Sequence, residues 1–367
     1  MNKLVDRAQC RVSVFAWLRM LIIGIGCLGV ANAATDSPGP LAAVMGVDER
    51  FSRFDTGDRL YLQRASRVGL VSSKFAQGAA TGVVVCQPRI VVTSGHIAGA
   101  LREEIVRRIP YWDKLNEQEK MLAKKRWFLA SRFSFSLATP KRPGLFRRGI
   151  LVSDVYFGTN VTGMSPNDDF AILLLDKRVH HQAVPLSLPA FDPQANESSL
   201  PPNLYLYALH SDVGYDRETK KLIANPGNAH RANVVIESRG RTLRKARSGP
   251  HLQLDALRDW YLHPHIALVT WDATFGASGA AGFFEDDGRD YLLLIHKGEF
   301  RARNLQGSRA ANPIFHFNTA VVTAGHRKFY EMMAQATRST VQNVHKKCAR
   351  PKNRTDKLQG TRAKERG

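Results

Sequence analysis

Three polar side chains, a histidine, an aspartate and a serine in that chain order, each lie at the edge of a short apolar run. His96 ends the run IVVTSGH, Asp169 begins the run DFAILLL, and Ser278 lies within TFGASGA. A serine hydroxyl is a weak nucleophile at neutral pH, and it needs a base to accept its proton and an anion to orient that base. The three residues therefore predict a serine hydrolase with His96, Asp169 and Ser278 as its catalytic groups.

The order and context of the three motifs carry this prediction, because each motif alone is common. A histidine after Thr-Ser-Gly is usually a strand end, and a Gly-x-Ser-Gly segment is usually a turn. Here His96 and Asp169 lie 73 residues apart in one strand-rich half of the chain, and Ser278 lies in the other half. One half would thus supply the base and its orienting anion, and the other would supply the nucleophile.

Gly276 indicates how negative charge on a substrate would be stabilised. The backbone amides of Gly276 and Ser278 can point together at a developing oxyanion, and a glycine two residues before the serine lets the loop turn without a Cβ clash. The alternative hydrolase elbow, Gly-x-Ser-x-Gly, requires a glycine at position 280, which is Ala280. The order serine, aspartate, histidine that this alternative needs is not found either.

Short runs rich in Val and Ile, broken by turn residues, predict β-strands through most of the chain. The charged segment 101–129 predicts a helical surface insertion, and residues 319–337 predict an amphipathic C-terminal helix. Residues 190–202, rich in Pro, Ser and Asn, are the best linker candidate. The predicted strands fall at residues 68–71, 81–85, 90–93, 149–152, 169–175, 204–207, 232–236, 265–270 and 291–295.

The two ends of the chain predict export and a charged tail. Residues 1–33 combine a basic start, a short apolar stretch and an Ala-x-Ala end, which predict a secretory signal peptide; the alternative, a membrane anchor, calls for a longer apolar stretch. Residues 34–43 are predicted to be a leader or propeptide. The whole chain has a formal net charge of +21, and residues 339–367 are especially rich in Lys and Arg. They predict a disordered basic tail that is either solvated or in contact with anionic surfaces. The protein is therefore expected to be secreted or periplasmic.

Cysteine is sparse for an exported protein. Once the predicted signal peptide is removed, Cys86 and Cys348 remain, so the core cannot depend on a framework of disulfides. A disulfide between these two residues and a pair of free thiols are both compatible with the sequence. No metal site is expected, because His263 and His265 lack a third ligand at suitable spacing.

Four segments of the chain resemble the trypsin-like (chymotrypsin-fold) serine peptidases, and in particular the bacterial branch that includes the glutamyl endopeptidases. The segments are VMGVDER at 44–50, TGVVV with VVTSGH at 81–96, DDFAIL at 168–173, and DATFGASG at 272–279 with IHKG at 295–298. The resemblance implies an all-β fold of two packed six-stranded β-barrels with the active site between them. It implies an N-terminal barrel at 44–195 and a C-terminal barrel with its terminal helix at 196–338.

The same resemblance implies roles for individual residues. His96 would act as general base and then general acid, Asp169 would orient it, and Ser278 would attack the carbonyl carbon. The backbone of Gly276 and Ser278 would form the oxyanion hole, and no cofactor would be needed.

Residues beside the substrate are implied as well. Asp272 lies where the base of the primary pocket is found in trypsin, and would favour Arg or Lys before the scissile bond. His296 lies where the glutamyl endopeptidase branch receives a substrate carboxylate, with Lys297 and Gly298 beside it. Opposite charges must be desolvated in pairs, and an acidic residue is favoured over a basic one.

We therefore expect a secreted serine endopeptidase that acts on polypeptides as a monomer, with no specific nucleic acid partner and no transmembrane segment. Two alternatives stay open: a catalytically silent relative of trypsin-like fold, and a secreted protein that binds polyanions through its basic surface.

Overall fold

The computed structural model of the protein describes most of the chain between residues 58 and 348. The predicted signal peptide and leader, and most of the segments 101–129 and 339–367, lie outside the described residues. The described residues are 58–73, 80–98, 109, 111–120, 122–123, 126, 133–139, 142, 145–158, 168–195, 199–201, 203–210, 213–215, 222–224, 234–242, 265–273, 276–302 and 315–348.

Six antiparallel strands close into a barrel in the order β1-β2-β3-β6-β5-β4. The central strands β2 and β3 are buried along their whole length, as expected for short runs of β-branched residues packed on both faces. The strands are β1 Val68–Ser72, β2 Ala80–Val84, β3 Ile90–Thr93, β4 Ser134–Leu137, β5 Ile150–Phe157 and β6 Ala171–Leu175.

A second group of six strands forms a sheet in the order β10-β7-β12-β13-β14-β11, and β8 and β9 form a small separate sheet. The two edge strands of the large sheet approach each other at one bridge, between Thr242 and Val269. The strands are β7 Leu204–His210, β8 Val213–Tyr215, β9 Leu222–Ala224, β10 Val234–Gly240, β11 Ile266–Val269, β12 Ala281–Asp286, β13 Arg289–Ala302 and β14 Phe315–Val322.

The predicted fold class is confirmed, because the protein is mostly β-structure with two six-stranded units. The first is a closed barrel, whereas the second is a sheet whose edges, within the described residues, meet at the single bridge just described. One hydrophobic cluster includes Val92 and Ile172 of the barrel and Tyr207 and Phe283 of the second sheet. The two units therefore share a continuous core.

The N-terminal helix α1, Arg59–Ala65, precedes the barrel in sequence but packs on the second sheet. Its Tyr61 hydroxyl donates to the carbonyl oxygen of Val235 at 2.6 Å, and Arg64 donates to Asp290 at 2.7 Å. Arg67, just after the helix, bonds the same carboxylate at 2.8 Å. Burial lowers the pKa of Arg67. Asp290 compensates both guanidinium groups, and Glu285, 2.6 Å from Arg64, adds a second carboxylate.

Two helices follow the last strand: α2, Arg327–Thr337, and α3, Val341–Cys348. The predicted C-terminal helix therefore begins later than expected, because residues 319–322 belong to β14. That strand pairs with β13 on one side and β11 on the other, and long-range pairing overrides the helical periodicity of the local sequence. Gly325 turns the chain with φ of +67° before α2, and a Cβ there would overlap the carbonyl oxygens of Ala195 and Asp192.

Residues 341–348, predicted to belong to a disordered tail, instead form α3. Val344 and Cys348 on this helix are fully buried, and Cys348 is joined to Cys86 by a disulfide with the Cα atoms 4.4 Å apart. The covalent bond and the buried side chains order a segment whose composition alone predicts a solvated chain.

The described part of the insertion after the histidine contains a short 3-10 helix, Trp112–Lys114, and a helical turn at residues 117–120. Leu115 and Trp112 pack against the barrel core, which fixes this part of the insertion on the barrel surface. No helix within the described residues is both long enough and apolar enough to cross a bilayer.

Candidate active site

The pairing of β3 with β6 brings His96 and Asp169 together. In this antiparallel pair Thr93 lies opposite Ala171. His96 follows the end of β3 by three residues and Asp169 precedes the start of β6 by two, so both reach the same edge of the barrel. Gly95 permits the close approach, since a Cβ there would lie 2.9 Å from the amide nitrogen of Phe170.

His96 and Asp169 make three polar contacts. The backbone amide of His96 donates to Asp169 Oδ1 at 2.7 Å, and His96 Nδ1 lies 3.0 Å from Oδ2 and 3.2 Å from Oδ1. A carboxylate only accepts hydrogen bonds, so Nδ1 carries the proton and Nε2 keeps its lone pair. The ring is therefore held in the tautomer that can accept a proton at Nε2.

Asp169 is nearly inaccessible to solvent, with 2% of its side chain exposed, whereas 33% of the His96 side chain is exposed. Burial by itself would raise the pKa of Asp169. The hydrogen bonds from His96 and the nearby charge of Lys297 outweigh it, and the pKa lies below its usual value. Asp169 is thus an ionised carboxylate at neutral pH.

The preceding residue, Asp168, serves a different contact. It lies 3.2 Å from His326 Nε2 and 3.1 Å from Lys328 Nζ, both on or next to α2. Partial burial would raise the pKa of Asp168, but its bonds to these two residues lower it. Of the two adjacent aspartates, one orients the histidine and the other attaches the C-terminal helix to the barrel.

The Ser278 loop lies between β11 and β12 and turns at two glycines with positive φ, Gly276 at +98° and Gly279 at +86°. The backbone of Gly279 is pressed against the chain just before the histidine: a Cβ there would overlap Thr93 Oγ1 and would lie 2.7 Å from the amide nitrogen of Ser94. Only glycine fits this position, so the loop is seated directly beside the end of β3.

Thr81 on β2 fastens the loop to the barrel. Its amide donates to the carbonyl oxygen of Ser278 at 3.0 Å, and its hydroxyl donates to the carbonyl oxygen of Gly276 at 2.7 Å. The same hydroxyl accepts from the amide of Leu209 on β7 at 3.0 Å. One threonine therefore joins the barrel, the second sheet and the nucleophile loop, a role that no local sequence signal indicated.

The hydroxyl of Ser278 donates to the carbonyl oxygen of Lys297 at 3.3 Å, and within the described residues it makes no hydrogen bond to His96. The amides of Gly279 and Ala280 are both occupied, bonding the carbonyl oxygens of His296 and Ala277. The amides of Gly276 and Ser278 have no acceptor among the described residues. These two N–H groups are the pair named from the sequence as the oxyanion hole.

The side chain of Lys297, on β13, extends from the Ser278 loop toward the carboxylate of Asp169. Its Nζ lies 3.9 Å from Asp169 Oδ2, and 21% of its side chain is exposed. The sequence placed Lys297 beside the substrate, and the structure places its ammonium group beside the buried carboxylate.

His296 is buried, with 2% exposed, behind the nucleophile loop. Trp271 Nε1 donates to His296 Nδ1 at 3.3 Å, so the ring proton of His296 lies on Nε2. Burial, reinforced by the proximity of His210 and His96, lowers the pKa of His296 to about 3. His296 is therefore a neutral hydrogen-bond donor at neutral pH.

The two remaining predicted substrate residues lie in different environments. Asp272 is buried, with 3% exposed, and its amide donates to the hydroxyl of Ser238 at 2.9 Å. Gly298 faces open space, since a Cβ there would meet no atom within 4 Å, and its carbonyl oxygen accepts from the hydroxyl of Thr319. The face of β13 at Gly298 is therefore open within the described part of the chain.

Comparison with known proteins adds little to this geometry. No protein-family model matches the chain, and no curated protein matches it. A solved structure of Glu endopeptidase in complex with MPD is 14% identical to this chain, covers 81% of it and 100% of its own length, and has a TM-score of 0.45. A closed six-stranded barrel bears His96 and Asp169, and the loop that precedes β12 of the six-stranded sheet bears Ser278, which agrees with the all-β fold of two six-stranded units that the sequence led us to expect.

Proposed function

We propose that the protein is a serine endopeptidase that hydrolyses peptide bonds through an acyl-enzyme. The observation that best supports the proposal is the pair formed by His96 and Asp169, in the productive tautomer, with the Ser278 loop seated against the residues just before the histidine. The predicted export signal makes it a secreted or periplasmic enzyme, and its substrate is a polypeptide.

The reaction follows from the roles of these groups. The Ser278 hydroxyl leaves the Lys297 carbonyl, turns to His96 Nε2, and attacks the peptide carbonyl as the imidazole takes its proton. Asp169, buried and ionised, stabilises the imidazolium that forms. The amides of Gly276 and Ser278 bind the developing oxyanion. His96 then protonates the leaving amine, and water hydrolyses the acyl-enzyme by the same route in reverse.

We also propose that the enzyme favours an acidic residue before the scissile bond. His296 is a neutral donor through Nε2, and a carboxylate is a suitable acceptor for that proton. Asp272, the residue that would favour a basic side chain, is about as buried as His296, with 3% against 2% exposed, so the preference rests on the donor at His296 Nε2. Cleavage of a peptide library tests this: preference for Glu or Asp is expected, and equal cleavage after Leu and Glu would contradict it.

The experiment that tests the activity is labelling by a fluorophosphonate, which reacts with an activated serine. The wild-type protein is expected to incorporate one label, and Ser278→Ala and His96→Ala are expected to incorporate none while retaining the wild-type circular dichroism. Heat-unfolded protein is the control for non-specific reaction. An unreactive folded wild type would favour a catalytically silent protein, and heparin binding that survives removal of residues 349–367, which leaves α3 and its disulfide in place, would favour a polyanion-binding one.

A further inference from the structure

Lys297 contacts both ends of the proposed catalytic group. Its carbonyl oxygen accepts the hydrogen bond of the Ser278 hydroxyl at 3.3 Å, and its Nζ lies 3.9 Å from Asp169 Oδ2. The backbone of the residue thus adjoins the nucleophile while its side chain reaches the orienting carboxylate.

We propose that Lys297 is a positioning residue whose ammonium group keeps Asp169 ionised and partly offsets the negative charge that Asp169 presents to His96. The proposal rests on the proposed peptidase function and deepens it by adding a fourth residue, a charged one, to the three that the sequence indicated.

The geometry indicates that Lys297 acts through its charge. A separation of 3.9 Å is longer than a hydrogen bond, but a cation at that distance from a buried anion interacts strongly, because few water molecules screen the pair. Asp169 is 2% exposed and Lys297 is 21% exposed, so the carboxylate feels the charge in a largely desolvated setting.

The other titratable groups around the pair do not replace this cation. Within the described residues, His96 after β3 interacts with Asp169, and His296 on β13 interacts electrostatically with Asp169, His96 and His210, which ends β7. His296 is buried and its pKa is lowered to about 3, so it carries no charge at neutral pH. Lys328 is attached to Asp168 at 3.1 Å and serves the neighbouring carboxylate.

A consequence for catalysis follows from the sign of the charge. A cation beside Asp169 partly offsets the negative charge that faces the His96 ring and repels a second positive charge there. Removing the charge is expected to move the acid limb of the pH–rate profile to higher pH, by about 0.5–1 pH unit.

The test measures the rate of phosphonylation of Ser278 by a small uncharged fluorophosphonate between pH 5 and pH 9, which reports on the base without using the substrate pocket. Lys297→Met is expected to shift the acid limb upward, and Lys297→Arg is expected to keep the wild-type limb. Lys328→Met is the matched control: it removes one lysine from the neighbouring carboxylate and is expected to leave the limb in place. Lys297→Gln replaces the methionine variant if that variant does not fold.

A second measurement does not depend on activity. In the Ser278→Ala background, the His96 ring is titrated by NMR, with its signal assigned by comparison with His96→Gln. Adding Lys297→Met is expected to raise the midpoint of that titration by a similar amount.

If the wild type is reactive and Lys297→Met changes neither the acid limb of the pH–rate profile nor the midpoint of the NMR titration, the role of Lys297 is overturned. The proposed peptidase function would still stand. A change confined to KM for acidic peptides would also overturn it, and would assign Lys297 to the substrate pocket. An unreactive wild-type serine would overturn both the function and this inference.

Discussion

The amide of Thr81 donates a hydrogen bond to the carbonyl oxygen of Ser278 at 3.0 Å, so the nucleophile is tied to a strand of the opposite unit. The bond crosses from β2 of the barrel to the loop before β12 of the second sheet. The position of Ser278 relative to His96 therefore depends on the packing of the two units against each other as well as on its own loop.

Replacing Thr81 tests this link. Thr81→Val keeps the shape of the side chain but removes the hydroxyl bonds to Gly276 and Leu209, leaving buried polar groups without partners. The phosphonylation rate is expected to fall by about 10-fold, because a misplaced loop loses alignment with the base. Thr81→Ser keeps the hydroxyl and is expected to react near the wild-type rate. Equal rates for the two variants would contradict the role of Thr81.

Replacing Asp169 tests the tautomer of the histidine. In Asp169→Asn the His96 amide can still bond the side-chain oxygen, which directs the amide N–H group toward His96 Nδ1. The ring proton then moves to Nε2, the position that must accept the serine proton, and a rate loss of about 10³–10⁴-fold is expected. Asp168→Asn is the adjacent control and is expected to weaken the attachment of α2 with less than a 10-fold change in rate, measured by the same labelling assay.

The disulfide offers a prediction about stability. Cys86 and Cys348 are separated by 262 residues, and chain entropy sets an upper limit of about 5–6 kcal/mol on what closing such a loop contributes. The double variant Cys86→Ser/Cys348→Ser is expected to unfold at lower urea concentration than the unreduced protein. Identical midpoints, or two free thiols on titration of the denatured unreduced protein, would contradict this expectation.

The buried His296 predicts a dependence of stability on pH. Its pKa is about 3 in the folded protein and near its ordinary value of 6.5 when unfolded. Between those values the unfolded chain binds a proton that the folded chain does not, so its contribution to stability is complete above pH 6.5 and is lost as the pH falls. From pH 7.5 to pH 4.5 this loss is on the order of 2–3 kcal/mol.

The comparison of wild type with His296→Gln isolates this effect. The glutamine offers an acceptor to Trp271 Nε1 but does not titrate, so its free energy of unfolding in urea is expected to fall less over the same pH interval. Other titrating groups, including His265 with its pKa of about 4, are present in both proteins and cancel. Parallel pH profiles for the two proteins would refute the prediction.

Much of the barrel could be predicted from the sequence, because β-branched runs such as Ile90–Thr93 have few other stable environments. Strand β12 was missed although the turn at Asp287 and Gly288, both with positive φ, is a common hairpin signal. Residues of β14 were assigned to a helix because their apolar spacing continues into α2. These residues form a strand because they pair with β11 and β13, and no local sequence pattern indicates those partners.

The site was predictable to the extent that its chemistry lies in short motifs. The motif Asp-Asp-Phe-Ala-Ile led to Asp169 as the partner of His96, and the structure gives Asp168 a separate contact. The contributions of Thr81 and Lys297 were not visible, because each depends on segments far apart in sequence that approach only in the folded chain. The resemblance to the glutamyl endopeptidase branch placed Lys297 beside the substrate, next to His296.

The two ends of the described chain cross over to opposite units: α1 lies before the barrel but packs on the second sheet, and α3 follows the second sheet but is bonded to the barrel through Cys348. Neither unit can be separated from the other without exposing surfaces that these helices cover. The protein should therefore unfold in one cooperative transition, although it contains two six-stranded units. Because the proposed catalytic residues come from both units, a chain that has folded only one of them would carry no assembled site.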